Sequence, residues 1–201
     1  MFESLNRGGK SIKTETDIKR IIEEDTWMMR ILHTAKLLNV PDWWICAGFV
    51  RSKMWDTLHE YSDRTSLPDI DVIYYDLTDT SETKEKELEA QLKSYDSTIP
   101  WSVKNQARMH HANNVPPYIS SVDAMSKFPE TATALGVTLD HEGNLILSAP
   151  CGIQDVINLE VRPTPYFKET NERMQIYTER VLNKKWWTRW PKVKIYKDNL
   201  F

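Results

Sequence analysis

The sequence has 201 residues, of which 40% are hydrophobic and 27% charged, and its formal net charge is -3. This balance is typical of a soluble globular protein, excludes a disordered or membrane-embedded chain, and gives no global sign of nucleic-acid binding. No apolar run approaches the roughly 20 residues that a membrane helix needs, and the N-terminus lacks the apolar core of a signal peptide. We therefore expect a cytoplasmic protein with no membrane partner.

Composition divides the chain into three parts. Residues 1–13, rich in glycine and polar residues, predict a flexible lead-in; residues 14–183 predict one domain; and residues 184–201 form a basic, aromatic tail. Basic residues interleaved with aromatic ones suit binding of RNA or single-stranded nucleic acid by this tail. The alternative is that the tryptophans pack the tail onto the domain, and the slightly acidic charge of the whole chain favours this second interpretation. Cys46 and Cys151 lie in apolar stretches without metal-ligand spacing, and we expect buried free thiols.

Hydrophobic periodicity in the first half of the chain predicts two helices and two strands. Apolar residues at three- and four-residue steps predict a helix over residues 17–38. The short apolar run at residues 43–47 predicts a buried strand, and a second helix follows over residues 49–60, with Arg51 facing away from its buried side. Residues 69–76, rich in β-branched and aromatic side chains, predict the clearest strand of the chain.

The second half predicts a mixture of shorter elements. In chain order these are a helix capped by Thr80 or Ser81, a strand at 101–106, a polar loop at 110–114, a short helix at 122–128, strands at 136–139, 144–147 and 157–161, and a closing helix at 168–182. The inward residues are predicted to be Leu88, Leu92 and Tyr95 on the first of these helices and Met174, Tyr177 and Val181 on the last. Alternating helices and strands indicate an α/β (α+β) fold, a mixed sheet flanked by helices.

Two carboxylates on the strand at residues 69–76 carry the main chemical signal. Side chains alternate along a strand, so Asp69 and Asp71 lie on one face about 7 Å apart. Two like charges this close oppose each other's ionisation unless a cation offsets them, and Mg²⁺ is commonly bound by one or two carboxylates together with substrate phosphates. The pair therefore predicts a site for Mg²⁺ or Mn²⁺; the alternative is a pair of solvated acids at a strand end.

Gly48, at the junction of the first strand and the second helix, adds a second signal. A residue without Cβ lets a phosphate approach the backbone, and the free N–H groups of the following helical turn form an anion site. The alternative is that Gly48 only makes a turn. Its position one helix before the acidic strand favours the phosphate site.

Five separate blocks carry a resemblance to a known family. They are Ile45-Cys46-Ala47-Gly48-Phe49-Val50-Arg51, Trp55-Asp56, Asp69-Ile70-Asp71-Val72-Ile73-Tyr74-Tyr75-Asp76, Val103-Lys104-Asn105-Gln106-Ala107-Arg108-Met109-His110 and Ala149-Pro150-Cys151-Gly152. In this order they resemble a bacterial family of nucleotidyltransferase-like proteins, a branch of the DNA polymerase β-like superfamily. The likeness runs from about residue 25 to about residue 182.

The resemblance implies a nucleotidyltransferase fold and an Mg²⁺-dependent enzyme. Such an enzyme moves a nucleoside monophosphate from a nucleoside triphosphate (NTP) to a hydroxyl on a small molecule, a protein or RNA. By resemblance, Asp69 and Asp71 are the metal-binding, catalytic acids and Gly48 stands in the glycine turn. Phe49 occupies a place where relatives have Gly or Ser, and with Gly48 and Arg51 it is expected to contact the nucleotide.

The strand at residues 101–106 is the expected location of the third acid that active relatives carry. It contains no acid, so Asn105 is predicted to hold that position, with Glu160 on a later strand as the alternative. Lys104, Asn105 and Arg108 are also predicted to contact the nucleotide, the two cations through its phosphates. The missing acid leaves a second hypothesis open, namely a catalytically inactive nucleotide- or RNA-binding module on the same fold.

Overall fold

The computed structural model describes residues 12–196. The helices are α1 (Glu15–Glu23), α2 (Thr26–Lys36), α3 (Gly48–Leu58), α4 (Glu82–Tyr95), α5 (Gln106–Asn113), α6 (Ser121–Ser126), α7 (Gln154–Ile157) and α8 (Asn171–Lys184). The strands are β1 (Trp44–Cys46), β2 (Ile70–Tyr74), β3 (Trp101–Asn105), β4 (Gly136–Leu139), β5 (Leu145–Ser148), β6 (Glu160–Val161) and β7 (Lys194–Ile195). Within this range, no helix combines the length and apolar character that a bilayer crossing requires.

Five strands form one mixed sheet in the order β3-β2-β1-β4-β5. Strands β2 and β3 are parallel, and the three other pairings are antiparallel. The parallel pair is joined by a crossover through α4, as parallel neighbours require. The sequence prediction of a mixed sheet flanked by helices is confirmed, and β6 and β7 add a separate two-stranded parallel sheet.

The two faces of the sheet are buried differently. Ile70, Val72 and Tyr74 of β2 enter the main core, as their alternation with the acids predicts. On the opposite face, Cys46 and Ile73 pack against Met125 of α6 in a smaller cluster. That second face therefore remains open beside the first residues of β2.

The predicted helix over residues 17–38 is wrong in one respect, because the chain forms two helices there. The first helix has a capping box between Thr14 and Asp17 and ends at Glu23. Asp25 then caps α2, its Oδ1 accepting from the Met28 N–H at 3.1 Å. Periodicity continues across the break because both helices present apolar residues to the same core, so the pattern alone could not locate it.

Two other local predictions are corrected. Residues 110–114, predicted as a polar loop, mostly belong to α5, which begins because the Asn105 side chain accepts from the Ala107 N–H at 3.0 Å. Residues 157–161, predicted as a strand, contain the end of α7, Leu159 with a φ of 59°, and only then β6. On α4, Tyr95 is half exposed, and the buried positions are Glu85, Leu88 and Leu92.

The C-terminal segment, defined here as residues 185–195, packs onto the domain. The closing helix α8 buries Met174, Tyr177 and Val181 as predicted. Trp186 and Trp190 beyond it are 5% and 2% exposed, and β7 pairs with β6. As far as residue 196, the basic, aromatic tail therefore lies against the domain; residues 197–201 and most of the predicted lead-in lie outside the described residues.

Candidate functional site

The two acids lie at the start of β2 on the open face of the sheet. Asp69 is exposed and immediately precedes the strand, whereas Asp71 is half buried within it. Cys46 of β1 lies beside them, its thiol donating weakly to the Asp71 backbone oxygen at 3.8 Å. Burial, with the nearby carboxylates Asp71 and Asp69, raises the pKa of that thiol. Asp69 and Asp71 therefore both lie near the Cys46 thiol, at the same place on the sheet.

The Asp71 carboxylate is electrostatically strained without a cation. Burial first, and the charge of Asp69 second, raise its pKa to about 6. The neighbouring Ser102 hydroxyl and the more distant charges of Arg180 and Lys184 only partly oppose this rise in pKa. Within residues 12–196 no third Cys, His, Asp or Glu joins the pair as a ligand set, so a bound ion would need ligands from a substrate as well. Hard carboxylate oxygens and a shortage of protein ligands fit Mg²⁺ bound with phosphates.

The N-terminus of α3 lies next to the acidic strand and is open. Its cap residue, Ala47, makes no side-chain hydrogen bond, whereas the other helices of six or more residues in the described range all have a side-chain cap. The first intrahelical donor is the Arg51 N–H, which bonds to the Ala47 oxygen at 3.0 Å. The N–H groups of residues 48–50 therefore have no acceptor within the helix and carry its positive dipole end.

The unusual backbone of this turn lies at the residue before the glycine. Ala47, not Gly48, has the unusual backbone, with φ 54° and ψ -114°. A Cβ on Gly48 would meet nothing closer than 3.7 Å, at Arg51 Nη2 and Leu67 Cδ2. The fold therefore does not require glycine at residue 48, and the absence of a side chain leaves space in front of the Arg51 guanidinium.

Arg51 is buried, although the sequence placed it on the exposed side of α3. It is 8% exposed, its Nη2 donates to Ser52 Oγ at 3.3 Å, and its Nε has no hydrogen-bond partner. No carboxylate in the described range forms an ion pair with it, and burial lowers its pKa to about 10. The guanidinium is still protonated at neutral pH, so α3 holds a desolvated cation without a direct ion pair in the described range, on which the charges of Glu130, Asp69 and Asp71 act from farther away.

At Phe49, only the backbone N–H lies at the candidate site, because the side chain is buried in the core. The side chain is 1% exposed and its ring lies 6.1 Å from that of Trp27 in the main core. Because Phe49 is the second residue of α3, its N–H belongs to the free first turn. A nucleotide could thus reach the Phe49 N–H but not the ring.

The structure does not bring the three predicted residues of the 103–110 block to the acids. Lys104 and Arg108 both bond to Glu85, a fully buried acid of α4, with Arg108 contacting both of its carboxylate oxygens at 3.0 and 2.8 Å. Asn105 is fully buried and pairs with Tyr74, whereas Asp71 pairs with Ser102. These residues stabilise the opposite end of the parallel strand pair.

The residue beside Asp71 on the neighbouring strand is Ser102, not Asn105. The register places Ser102 directly beside Asp71, and its hydroxyl favours the ionised form of the Asp71 carboxylate. Asn105 is three residues further along β3, so its side chain lies on the other face of the sheet, which corrects the prediction. Glu160 lies in the separate two-stranded sheet and is held by Arg162 and Tyr196.

Sequence reasoning missed a group of charged residues that α8 contributes. Arg180 and Lys184, one turn apart, both act electrostatically on Asp71. Arg180 Nε donates to Oε1 of the fully buried Glu130 at 2.6 Å, and Thr133 donates to the other oxygen of Glu130 at 2.8 Å. More than 100 positions of sequence separate Arg180 and Lys184 from Asp71, and no local pattern indicated their proximity.

Comparisons with solved structures identify the same fold. An NMR structure described as a CCA-adding enzyme head domain has 36% identity and a TM-score of 0.84, covering 94% of this chain and all of that chain. A CCA-adding enzyme in complex with CTP has 14% identity and a TM-score of 0.57, covering 89% of this chain and 43% of that one. An apo form has 12% identity and a TM-score of 0.54, covering 90% and 43%. These two distant likenesses concern the fold alone.

Family membership follows from the sequence match. The sequence has no significant match among curated proteins. A family described as nucleotidyltransferase matches residues 33–195, which include β1, the turn at Gly48, the acidic strand and all of α8. The match covers most of the chain, and the likeness to the head domain extends over nearly all of it. The chain therefore belongs to the nucleotidyltransferase family.

Proposed function

We propose that this chain transfers a nucleoside monophosphate from an NTP to a hydroxyl acceptor and depends on Mg²⁺ or Mn²⁺. The observation that carries the proposal is the close arrangement of two opposite charges, neither of which forms a direct ion pair within the described residues. Asp71 is ionised at neutral pH against burial and the charge of Asp69, and Arg51 is a buried cation on which carboxylates act only from a distance. A complex of a metal ion with a polyphosphate supplies the missing charge of each sign.

Asp69 and Asp71 would hold the metal ion. Asp69 is exposed and Asp71 half buried, so one carboxylate reaches solvent while the other is fixed in the sheet. A bound Mg²⁺ would withdraw charge from the phosphates and favour attack at the α-phosphorus. Ser102 lies beside Asp71 in the strand register and favours the ionised form of its carboxylate.

The N-terminus of α3 and Arg51 would bind the phosphates. The free N–H groups of residues 48–50 and the helix dipole favour an anion at this end. Arg51 adds a full positive charge in a place from which water is excluded, where its attraction for an anion is strong. Gly48 leaves the approach to both groups free of a side chain.

The reaction itself exchanges one phosphorus–oxygen bond for another. The acceptor oxygen forms a bond to the α-phosphorus, the bond from this phosphorus to the bridging oxygen breaks, and pyrophosphate leaves with its electron pair. The acceptor proton passes to water, because Ser102 beside Asp71 is not a base at neutral pH. Transfer is therefore expected to be slow relative to that of an enzyme with three acids.

The relatives support an NTP as the donor. One protein of this fold is described as a complex with CTP, and the relative that is 36% identical is described as a CCA-adding enzyme head domain. The acceptor hydroxyl is proposed only as a class, carried by a small molecule, a protein or RNA.

Binding of the donor can be tested by thermal unfolding. We expect ATP, CTP, GTP or UTP with Mg²⁺ to raise the melting temperature of the wild-type protein, and EDTA to abolish the rise. Asp71→Asn and Gly48→Ala should both lose it, the second because a methyl group fits the free protein but obstructs the phosphate. Asp76→Asn is the matched control, since Asp76 bonds to Thr78 beyond the other end of β2.

Transfer can be tested with triphosphates labelled at the α- or the γ-phosphate in cell extract. Nucleotidyl transfer labels a product from the α-position only, and digestion with protease or ribonuclease assigns the acceptor class. Stabilisation by NTP and Mg²⁺ without any labelled product would instead support the catalytically inactive binding module. An equal response of wild type and Asp71→Asn in both assays would contradict the proposed site.

A further inference from the structure

The guanidinium of Arg51 is surrounded by three tryptophan rings, which we call the indole cage. Its Cζ lies 5.1 Å from the ring centroid of Trp55, 4.7 Å from that of Trp186 and 5.8 Å from that of Trp190. The faces of indole rings are the strongest cation–π partners among side chains, and the interaction strengthens when water is excluded. The cage thus stabilises the charge of Arg51 without using its hydrogen-bond donors.

Two rings of the cage come from the far end of the sequence. Trp55 lies one helical turn after Arg51 on α3, whereas Trp186 and Trp190 belong to the C-terminal segment. Their rings meet that of Trp55 edge to face, at centroid distances of 5.8 and 5.1 Å. Trp190 is further fixed by its Nε1, which donates to Asp56 Oδ1 at 2.8 Å.

The C-terminal segment also holds the loop that leads to the acidic strand. Tyr61 donates its hydroxyl to the Arg189 oxygen at 2.6 Å, and Arg189 donates to the Ser66 oxygen at 3.4 Å. Asp56, the partner of Trp190, accepts from the N–H and hydroxyl of Thr65 at 2.9 and 2.7 Å. One segment therefore supports both the phosphate side and the metal side of the candidate site.

A packing role alone does not explain the arrangement around Arg51. A buried arginine usually has a carboxylate partner that fixes its planar head and satisfies its donors. Here an aromatic cage holds the head, and the Nε donor has no partner in the described structure. The aromatic cage leaves the Nε donor free for an anionic ligand, whereas a directly paired carboxylate would occupy the donors; Glu130, Asp69 and Asp71 act on the guanidinium only from a distance.

We propose that Trp186 and Trp190 are positioning residues of the nucleotide site, which hold the Arg51 guanidinium ready to bind the phosphates of the NTP. This inference rests on the proposed function and assigns a part in it to the C-terminal segment. The segment acts through Arg51, not by binding nucleic acid with a free tail.

The test compares variants of Trp186 that differ in whether the side chain has an aromatic face. We measure the dissociation constants of ATP and CTP with Mg²⁺ by calorimetry, and the urea midpoint of each variant separately. Trp186→Met fills much of the space without a π face and should weaken binding about tenfold; Trp186→Phe should stay within about threefold of wild type. Trp187→Met is the matched control, since Trp187 is 37% exposed and lies outside the cage.

A double-mutant cycle with Arg51→Met separates positioning from general packing. If Trp186 acts through Arg51, Trp186→Met should weaken nucleotide binding by less than about twofold in the Arg51→Met background. The proposal would be overturned if Trp186→Met still weakened nucleotide binding about tenfold in the Arg51→Met background. It would also be overturned if Trp186→Phe and Trp186→Met weakened binding equally.

A measurement on the wild-type protein covers the case in which a variant does not fold. On titration with ATP and Mg²⁺, the indole N–H resonances of Trp186 and Trp190 should shift, and that of Trp187 should not. Saturable binding without shifts of the two cage indoles would also overturn the inference while leaving the proposed function intact. Failure of the wild type to bind any NTP with Mg²⁺ would instead refute the proposed function itself.

Discussion

At the scale of single residues, the Asp71 carboxylate destabilises the metal-free fold at neutral pH. Its pKa rises from an ordinary 3.8 to about 6, so the folded state binds more protons than the unfolded state between these values. Stability therefore falls as pH rises through this window, and the full cost persists above it. In EDTA at about pH 7.5, we expect Asp71→Asn to be more stable than wild type by roughly 1 to 2 kcal/mol.

Urea unfolding with EDTA at two pH values checks this prediction. The gain of Asp71→Asn should shrink toward zero near pH 4, where the wild-type carboxyl is protonated in the folded state. Asp76→Asn serves as the control and should show no gain at neutral pH. A destabilised Asp71→Asn at neutral pH would mean that the carboxylate has a favourable partner in the fold, contrary to its surroundings.

Ser102 offers a second prediction at this scale, because it occupies the position beside Asp71. Ser102→Asp adds a carboxylate that can ligate the metal and accept the acceptor proton, and we expect a rise in transfer rate of about tenfold or more with Mg²⁺. Without metal, three adjacent carboxylates should lower the melting temperature. Labelled-triphosphate assays and thermal unfolding measure the two effects.

The control for Ser102→Asp is Asn105→Asp on the same strand. The Asn105 side-chain amide donates to the backbone oxygens of Asp76 and Asp79 at 2.7 and 3.0 Å. A carboxylate at residue 105 has no N–H donor and would lose both hydrogen bonds. We expect this variant to lose roughly 1 to 3 kcal/mol of stability and to gain no activity. Faster transfer by Asn105→Asp than by Ser102→Asp would contradict the observed register.

At the scale of elements, the turn between β1 and α3 stores backbone strain at Ala47. Its φ of 54° with ψ of -114° is a conformation that glycine adopts readily and alanine rarely does. We expect Ala47→Gly to stabilise the protein by about 1 kcal/mol, measured by urea unfolding. As the control, Ala35→Gly near the end of α2 should lower the free energy of unfolding by about 1 kcal/mol or more. If Ala47→Gly lowered the free energy of unfolding by as much, Ala47 would not be strained.

Elements with a strong local pattern were predictable from the sequence. Strands β1 to β5 and helix α8 were placed within a few residues, because alternation or a regular apolar stripe marks each of them. The break before α2 and the start of α5 depend on the single capping side chains Asp25 and Asn105. A cap is too small a signal to outweigh periodicity or a polar composition.

The candidate site was predictable only where it is local in sequence. Asp69, Asp71 and Gly48 stand within about one helix of each other, so strand alternation and the glycine turn pointed to them directly. The position of Ser102 depends on the register between β2 and β3, which the sequence of either strand leaves open. The burial of Arg51 depends on tryptophans 135 and 139 positions later, and periodicity within α3 assigned it to the surface.

At the scale of the whole molecule, the chain closes on itself at the candidate site. Asp69, Asp71 and the N-terminus of α3 come from the first half, and α8 and the C-terminal segment return to lie near Asp71 and Arg51. Trp186 and Trp190 of the segment lie in the core, whereas its basic residues are exposed, with Arg189 bonded to the Ser66 oxygen and Lys192 to the Leu58 oxygen. The C-terminal segment is therefore held on the domain by its buried tryptophans, Trp186 and Trp190.

This closure predicts that the C-terminal segment is required for folding. Removing residues 186–201 would expose the surfaces that Trp186 and Trp190 cover, and losing a large buried aromatic typically costs about 3 to 5 kcal/mol. Two such losses are comparable with the roughly 5 to 15 kcal/mol that stabilises a domain. We expect the truncated chain to lack a cooperative thermal transition and to be degraded rapidly by protease, whereas full-length Trp187→Ala should melt within a few degrees of wild type. A truncated chain that unfolds cooperatively near the wild-type temperature and loses only affinity for RNA would show that the segment is an independent nucleic-acid-binding tail.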